Sequence, residues 1–167
     1  MLRYKKLKGT SLVELLAAIG ISVALIGISM PLLLKQSSLR QAIESAETIK
    51  SLLSRTRNLS YNPTNDQAVN YYVELINNKN NTIGAKIIGQ SVSPSGIAKE
   101  TIDQVTIAKS KITNLSDAVN VAFGANTGNP QIKSGTFLDD EATINITSGN
   151  KTVFLKISPT GAVDIEK

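Results

Sequence analysis

A chain of 167 residues is the size of one domain with an added element, so a single core is expected. It holds no cysteine and no histidine, which excludes disulfides, thiolate zinc sites, cysteine nucleophiles and imidazole proton transfer. At 4% aromatic it has little with which to stack single-stranded nucleic acid. The formal charge of +5 gathers in Arg3, Lys5, Lys6 and Lys8; without these four, fourteen basic side chains face thirteen acidic ones. The excess therefore speaks of topology more than of a polyanionic partner.

After the basic segment Met1–Gly9 comes the run Leu15–Leu34, twenty residues without a charge. As a helix it would rise about 30 Å, the thickness of a hydrocarbon core. The cations on its N-terminal side predict an N-terminus inside and the rest of the chain outside. Gly20, Gly27 and Pro31 within the run are tolerated better by membrane helices than by exposed soluble ones.

From Leu39 to Leu59 the pattern becomes one-sided. Leu39, Ile43, Ala46, Ile49, Leu53 and Thr56 recur three or four apart, with Arg40, Glu44, Glu47, Lys50, Arg55 and Arg57 between them. This predicts an amphipathic helix stopping at Asn62–Pro63. One helix over about 11–61 would be roughly 75 Å long. Beyond it Val69, Tyr71, Val73 and Leu75 alternate with polar residues, a turn falls at Asn77–Asn81, and Thr82–Gly89 returns as a hairpin partner. Ile102, Val105 and Ile107 mark a further strand, and Val119, Val121 and Phe123 another before the loop Gly124–Pro130. Ala142–Thr147, Thr152–Ser158 and Ala162–Ile165 read as three short strands, joined at Ser148-Gly149-Asn150 and Pro159-Thr160-Gly161. The expected fold class is α+β. A long N-terminal helix, membrane-spanning in its first half and amphipathic in its second, packs on a small antiparallel sheet head.

The junction Lys8-Gly9-Thr10-Ser11-Leu12-Val13-Glu14-Leu15-Leu16 carries the chemistry. An ordinary secretory leader is cut at small residues beyond its apolar core. Here the small residue poised for cutting, Gly9, precedes the core, and one carboxylate, Glu14, lies just inside it. An acid in a membrane helix costs roughly 2.5 kcal/mol or more at the centre and less near an interface, so it needs a partner. Over about Lys8–Leu34 the arrangement resembles the class III leader of type IV pilins and pseudopilins. Thr10 and Ser11 stand where that family most often has Phe and Thr, and the disulfide that closes the C-terminal loop of some members has no counterpart.

The resemblance implies cleavage by prepilin peptidase between Gly9 and Thr10, N-methylation of Thr10, and pairing of Glu14 with a neighbour's N-terminus. It also implies a filament core, and a membrane helix before assembly, built from Leu15, Leu16, Ile19, Ile21, Val23, Leu25, Ile26, Ile28, Pro31, Leu32 and Leu33. The division that follows is a leader at 1–9, a transmembrane or filament-core half-helix at 10–34, an amphipathic half at 35–62 and a β-rich head at 63–167. The pilin-like reading makes the chain a structural subunit, not an enzyme. The resemblance implies a minor pilin or pseudopilin of a type IV pilus-like or type II secretion-like filament, and the layout 117–167 resembles minor subunits. The precursor is expected in the cytoplasmic membrane and the product in a cell-surface filament. Expected partners are prepilin peptidase, other subunits, the inner-membrane assembly platform and the membrane itself through Leu15–Leu34.

The alternatives are a major pilin, or a signal-anchored surface binding module that never polymerises. No cofactor and no metal is expected. Asp139-Asp140-Glu141 has calcium-type oxygens but reads first as a solvated run. Lys151, Lys156 and Lys167 would suit DNA phosphates, yet Asp164 and Glu166 lie among them. Ser110-Lys111 and Ser38 stand in no catalytic framework. Five sequon-like triplets, at Asn58, Asn80, Asn114, Asn145 and Asn150, reflect a chain rich in Asn, Ser and Thr.

Overall fold

The computed structural model describes residues 11–62, 68–114, 118–123, 130–133, 136–137 and 141–167. Among the described residues one helical element, α1 (Leu12–Tyr61), is followed by ten strands. They are β1 (Ala68–Asn78), β2 (Thr82–Ser93), β3 (Gly96–Ile107), β4 (Lys111–Ile112), β5 (Ala118–Phe123), β6 (Pro130–Lys133), β7 (Thr136–Phe137), β8 (Ala142–Ser148), β9 (Lys151–Ile157) and β10 (Val163–Glu166). The chain divides into two compact units, Met1–Ser37 and Ser38–Lys167. Side chains of α1 are described in two shorter stretches, 12–26 in the first unit and 36–61 in the second.

The expected architecture is corrected on two counts. Among the described residues no helix is long and apolar enough to cross a membrane, so the membrane-spanning half expected over Leu15–Leu34 is not found. The apolar stretch whose side chains are described, 15–26, rises only about 18 Å against a core of roughly 30 Å. Nor is there one small sheet. The strands make a six-stranded sheet of order β3-β2-β1-β5-β6-β7 and a four-stranded sheet of order β10-β9-β8-β4, both antiparallel.

The core of the second unit follows from strict alternation. Tyr71, Val73 and Leu75 of β1 are buried, as are Ile83, Ala85 and Ile87 of β2, and Val119, Val121 and Phe123 of β5. In the four-stranded sheet Ile144 and Ile146 of β8 and Val153, Leu155 and Ile157 of β9 are buried in the same way. With period-two side chains, each strand gives one whole face to the core. Ala42, Ala46, Ile49, Leu52, Leu53 and Thr56 of α1 meet them, a helical stripe three to four residues apart. The stripe differs from the expected one mainly in its N-terminal turn, where Ala42 is fully buried while Leu39 and Ile43 are partly exposed.

Amide side chains do much of the joining. The Asn77 Nδ2 donates to the Ile112 carbonyl at 2.7 Å, and the Ile112 N–H donates to Asn77 Oδ1 at 2.8 Å. A side-chain amide thus imitates a peptide group and ties β1 of one sheet to β4 of the other. Asn114 acts likewise beyond the end of the short β4, donating to the Thr143 carbonyl at 2.6 Å and accepting from the Asn145 N–H at 2.8 Å. Asn77→Ala is expected to lower unfolding free energy by about 1–3 kcal/mol, because it leaves two backbone groups without partners. Denaturant titration checks this; Asn77→Asp, which keeps the acceptor but loses the donor, should fall between.

The helix is pinned by hydroxyls. Ser45 Oγ donates to the Gln41 carbonyl and meets the buried Ser110 Oγ, each at 2.7 Å. Ser148 Oγ reaches the Lys109 carbonyl at 2.7 Å and Gln41 Oε1 at 3.2 Å. At Gly149, φ is +57° and a Cβ would come within 3.0 Å of Ser38 Oγ, so both backbone and space call for glycine. In β3 the register slips: Ile87 faces Asp103 and Ile88 faces Thr101, which makes Ile102 the extra residue of a bulge. The bulge turns both Ile102 and Asp103 toward the helix side, where Ile102 packs on Gly89 and Asp103 pairs with Arg55.

Candidate assembly site on the N-terminal helix

The described helix begins with a cap. Ser11 Oγ accepts from the Val13 N–H at 3.3 Å, the Ser11 carbonyl accepts from the Leu15 N–H at 3.1 Å, and the Ser11 N–H donates to Glu14 Oε2 at 3.0 Å. This is a reciprocal capping box, Ser at the cap and Glu three residues on. A Ser cap contributes about 1 kcal/mol, and an acid in the first turn adds about 0.3–1 kcal/mol through the helix dipole. Glu14 therefore has a local role within its own chain. The pattern Ser11-Leu12-Val13-Glu14, Ser with Glu three residues on, carries that signal in the sequence.

Behind the cap the helix is apolar on every side and uncovered. Leu15, Leu16, Ile19, Ile21, Val23, Leu25 and Ile26 are each more than half exposed, between 53% and 63%. Leu12 and Val13 are more exposed still. At 100° per residue these positions go right round the helix, so no single face is spared. Ser22 turns its hydroxyl back to the Ala18 carbonyl at 2.8 Å, which removes the only other polar side chain of 15–26 from need of a partner. Gly20 has nothing within 4 Å of where a Cβ would stand. Gly9 and Thr10 lie outside the described residues, as do the side chains of Ile28, Pro31, Leu32 and Leu33.

Of the other candidates, Asp139 and Asp140 lie outside the described residues, and Glu141 is exposed. Among the described residues no group of three acidic side chains stands ready to hold a metal. Acids of the C-terminal strand β10 face lysines: Lys156 Nζ of β9 lies 2.9 Å from Glu166, and Lys50 Nζ of α1 lies 3.7 Å from Asp164. The hydrogen bond from Lys156 to Glu166, helped by the charges of Glu141 and Glu166, raises the lysine above its ordinary range. Ser110 Oγ is buried against Ser45, and Lys111 is exposed.

Sequence reasoning missed one larger feature, an acidic groove along α1 and β3. Its residues are 41–55 and 103–108, far apart in the chain, and only the folded sheet edge brings them together. No protein-family model matches this sequence, and no significant match was found among curated proteins or among solved structures.

Proposed function

We propose that this chain is a structural subunit of a type IV pilus-like or type II secretion-like filament, of the minor pilin or pseudopilin kind. The observation that carries the reading is the stretch Leu15–Ile26: apolar all round, more than half exposed, and preceded by one carboxylate, Glu14. Fully burying a side chain such as Leu or Ile is worth about 1.5–3 kcal/mol. Seven such residues make association with like helices strongly favourable even after the loss of translational and rotational freedom. Copies stacked around a common axis would cover every side of such a helix, which a single docking groove would not.

Glu14 fits this role because its capping bond uses only part of its acceptor capacity. A carboxylate has about four lone-pair sites, and the Ser11 N–H takes one of them. Both members of the box lie after the Gly9–Thr10 junction, so the box outlasts cleavage there. The ammonium of a neighbour's Thr10 would then find a carboxylate already oriented, and pairing two charges in an apolar surrounding sets axial register between subunits. The capping box also favours a second reading, an uncleaved and non-polymerising surface module in which Glu14 serves its own helix alone.

Intact mass and N-terminal sequencing from hosts with and without prepilin peptidase separate the two. The filament reading expects a product starting at Thr10 only in the first host, lost on Gly9→Val. Retention of Met1–Gly9 in both would leave the anchored module. In cross-linking of assembled material, Glu14→Ala is expected to lower recovery of neighbouring subunits at least about tenfold while the head keeps its stability to within about 0.5 kcal/mol. Equal recovery with Glu14→Ala would remove Glu14 from the assembly contact.

A further inference from the structure

Among the described residues the strand β3 ends the six-stranded sheet and is laddered on one side only, with β2. It is twelve residues long, and most of it is exposed. A long open edge is a ready template for another extended chain, and along 103–107 no further strand among the described residues is laddered to its outer side. Folded proteins commonly blunt such an edge, and the bulge at Ile102 does so only locally.

Beside this edge runs a groove between β3 and α1. Its two parts have volumes of about 250 Å³ and about 490 Å³ and share Glu44 and Thr48. The smaller is walled by Val105–Ala108 and by Gln41 and Ser45; the larger reaches Glu47, Arg55 and Asp103. An open strand edge facing a helix across a groove is a common seat for an extended peptide, which adds main-chain hydrogen bonds and places alternate side chains toward the helix.

Charge says which peptide. Arg55 and Asp103 pair with each other across the groove, so Glu44 and Glu47 are its excess. Arg40 comes within 3.9 Å of Glu44, but both side chains are well exposed, at 84% and 66%, and such pairs are screened by solvent. Register excludes a second β3 as a good occupant. Glu100 lies opposite Gly89 and Asp103 opposite Ile87, which puts both acids on the helix side of the strand. Lys99 lies on the other side, over the Tyr72 ring at 5.9 Å. Two β3 strands paired in antiparallel fashion keep their faces, so acids would meet acids and Lys99 could reach neither.

We infer that the edge of β3 and the groove beside it bind an extended basic segment of a partner protein, added as a further strand with its Lys or Arg side chains toward Glu44 and Glu47. Five added residues along 103–107 would span roughly 17 Å of edge. The surface lies wholly within the second compact unit, so the inference stands or falls apart from filament assembly.

The test uses the full chain and a short labelled peptide alternating lysine with valine, beside the same peptide with glutamate for lysine. Fluorescence anisotropy is expected to show binding of the lysine peptide alone. Reversing the groove with Glu44→Lys and Glu47→Lys together should weaken it at least about tenfold, and added salt should weaken it in the wild type. Amide hydrogen exchange should show new protection at 103–107 when the lysine peptide is present. Equal binding of the glutamate peptide, an unchanged affinity in the reversed variant, or protection falling elsewhere would each overturn the assignment. Protection at 103–107 that grows with protein concentration without any peptide would give the edge to a second copy and overturn it too.

Discussion

Phe123→Ala is expected to lower the unfolding free energy by about 3–5 kcal/mol. Phe123 ends β5, opposite Tyr71 of β1 and Pro130 of β6, and is 1% exposed. Truncation loses the transfer energy of the ring and leaves a cavity. The walls can close it only partly, because three hydrogen-bonded strands hold them apart. Phe154 is the internal control. It lies on the outer face of β9 and is 36% exposed, so Phe154→Ala is expected to cost under about 1 kcal/mol. Urea titration measures both, with the slope checked for constancy so that the difference belongs to the folded state. Comparable losses from the two would contradict the burial assigned to β5.

Arg57→Ala follows, with an expected cost of about 2–3 kcal/mol. Arg57 lies in the penultimate turn of α1 and donates to the Thr160 carbonyl at 2.7 Å and, more weakly, to the Gly161 carbonyl at 3.4 Å. Its guanidinium also stands 5.8 Å from the centre of the Tyr61 ring. The turn it grips is closed by Gly161 N–H on the Ser158 carbonyl and Ser158 N–H on the Ala162 carbonyl, both at 2.9 Å, with Gly161 at φ +80°. Those bonds leave the Thr160 and Gly161 carbonyls pointing at the helix, and a planar fork reaches both where a single ammonium does not. Arg57→Lys is therefore expected to restore less than half of the loss. The buried Nε has no hydrogen-bond partner in the structure, which trims the net gain from Arg and keeps the expected cost well below that of Phe123→Ala. Hydrogen exchange of Val163–Glu166 is the specific check. Faster exchange there in Arg57→Ala, with β1 unchanged, ties the loss to this turn; uniform acceleration would make it a general loss of core packing.

Much of the head was legible because each strand advertises its own burial. Val73 and Leu75 flank Glu74, and Val119 and Val121 flank Asn120; all four are buried, as are Val153 and Leu155 on either side of the outward Phe154. The turns after β8 and β9 were legible for a similar reason, since Gly149 and Gly161 both adopt positive φ. Other elements were not. The strand β3 begins at Gly96, well before the Ile102 where apolar alternation is first felt, because an edge strand need bury little and its exposed half carries Lys and Glu. The strand β4 is two residues long and exists through Asn77 and Asn114, whose amides supply bonds that no local pattern announces. Asn77, a residue type common in turns, lies in the strand β1, with its amide used across the sheets.

Along the N-terminal helix the division is sharper. The junction Gly9–Glu14 and the uncharged run behind it were read from residue types alone, since charge, length and spacing are local properties. That Glu14 already bonds to Ser11, and that the described apolar stretch stands exposed on every side, came from the folded helix. The sequence by itself determined which residues are apolar, where charge stops and where tight turns fall, because these depend on side-chain chemistry within a few positions. Only the tertiary structure decided that ten strands part into two sheets, that β3 is left as an open edge, and that Glu44, Glu47 and Asp103 share one groove. Those are pairings between residues tens of positions apart. Which of them form is set by competition among whole strands for partners and for the one apolar stripe of α1, and no short stretch of sequence records the outcome.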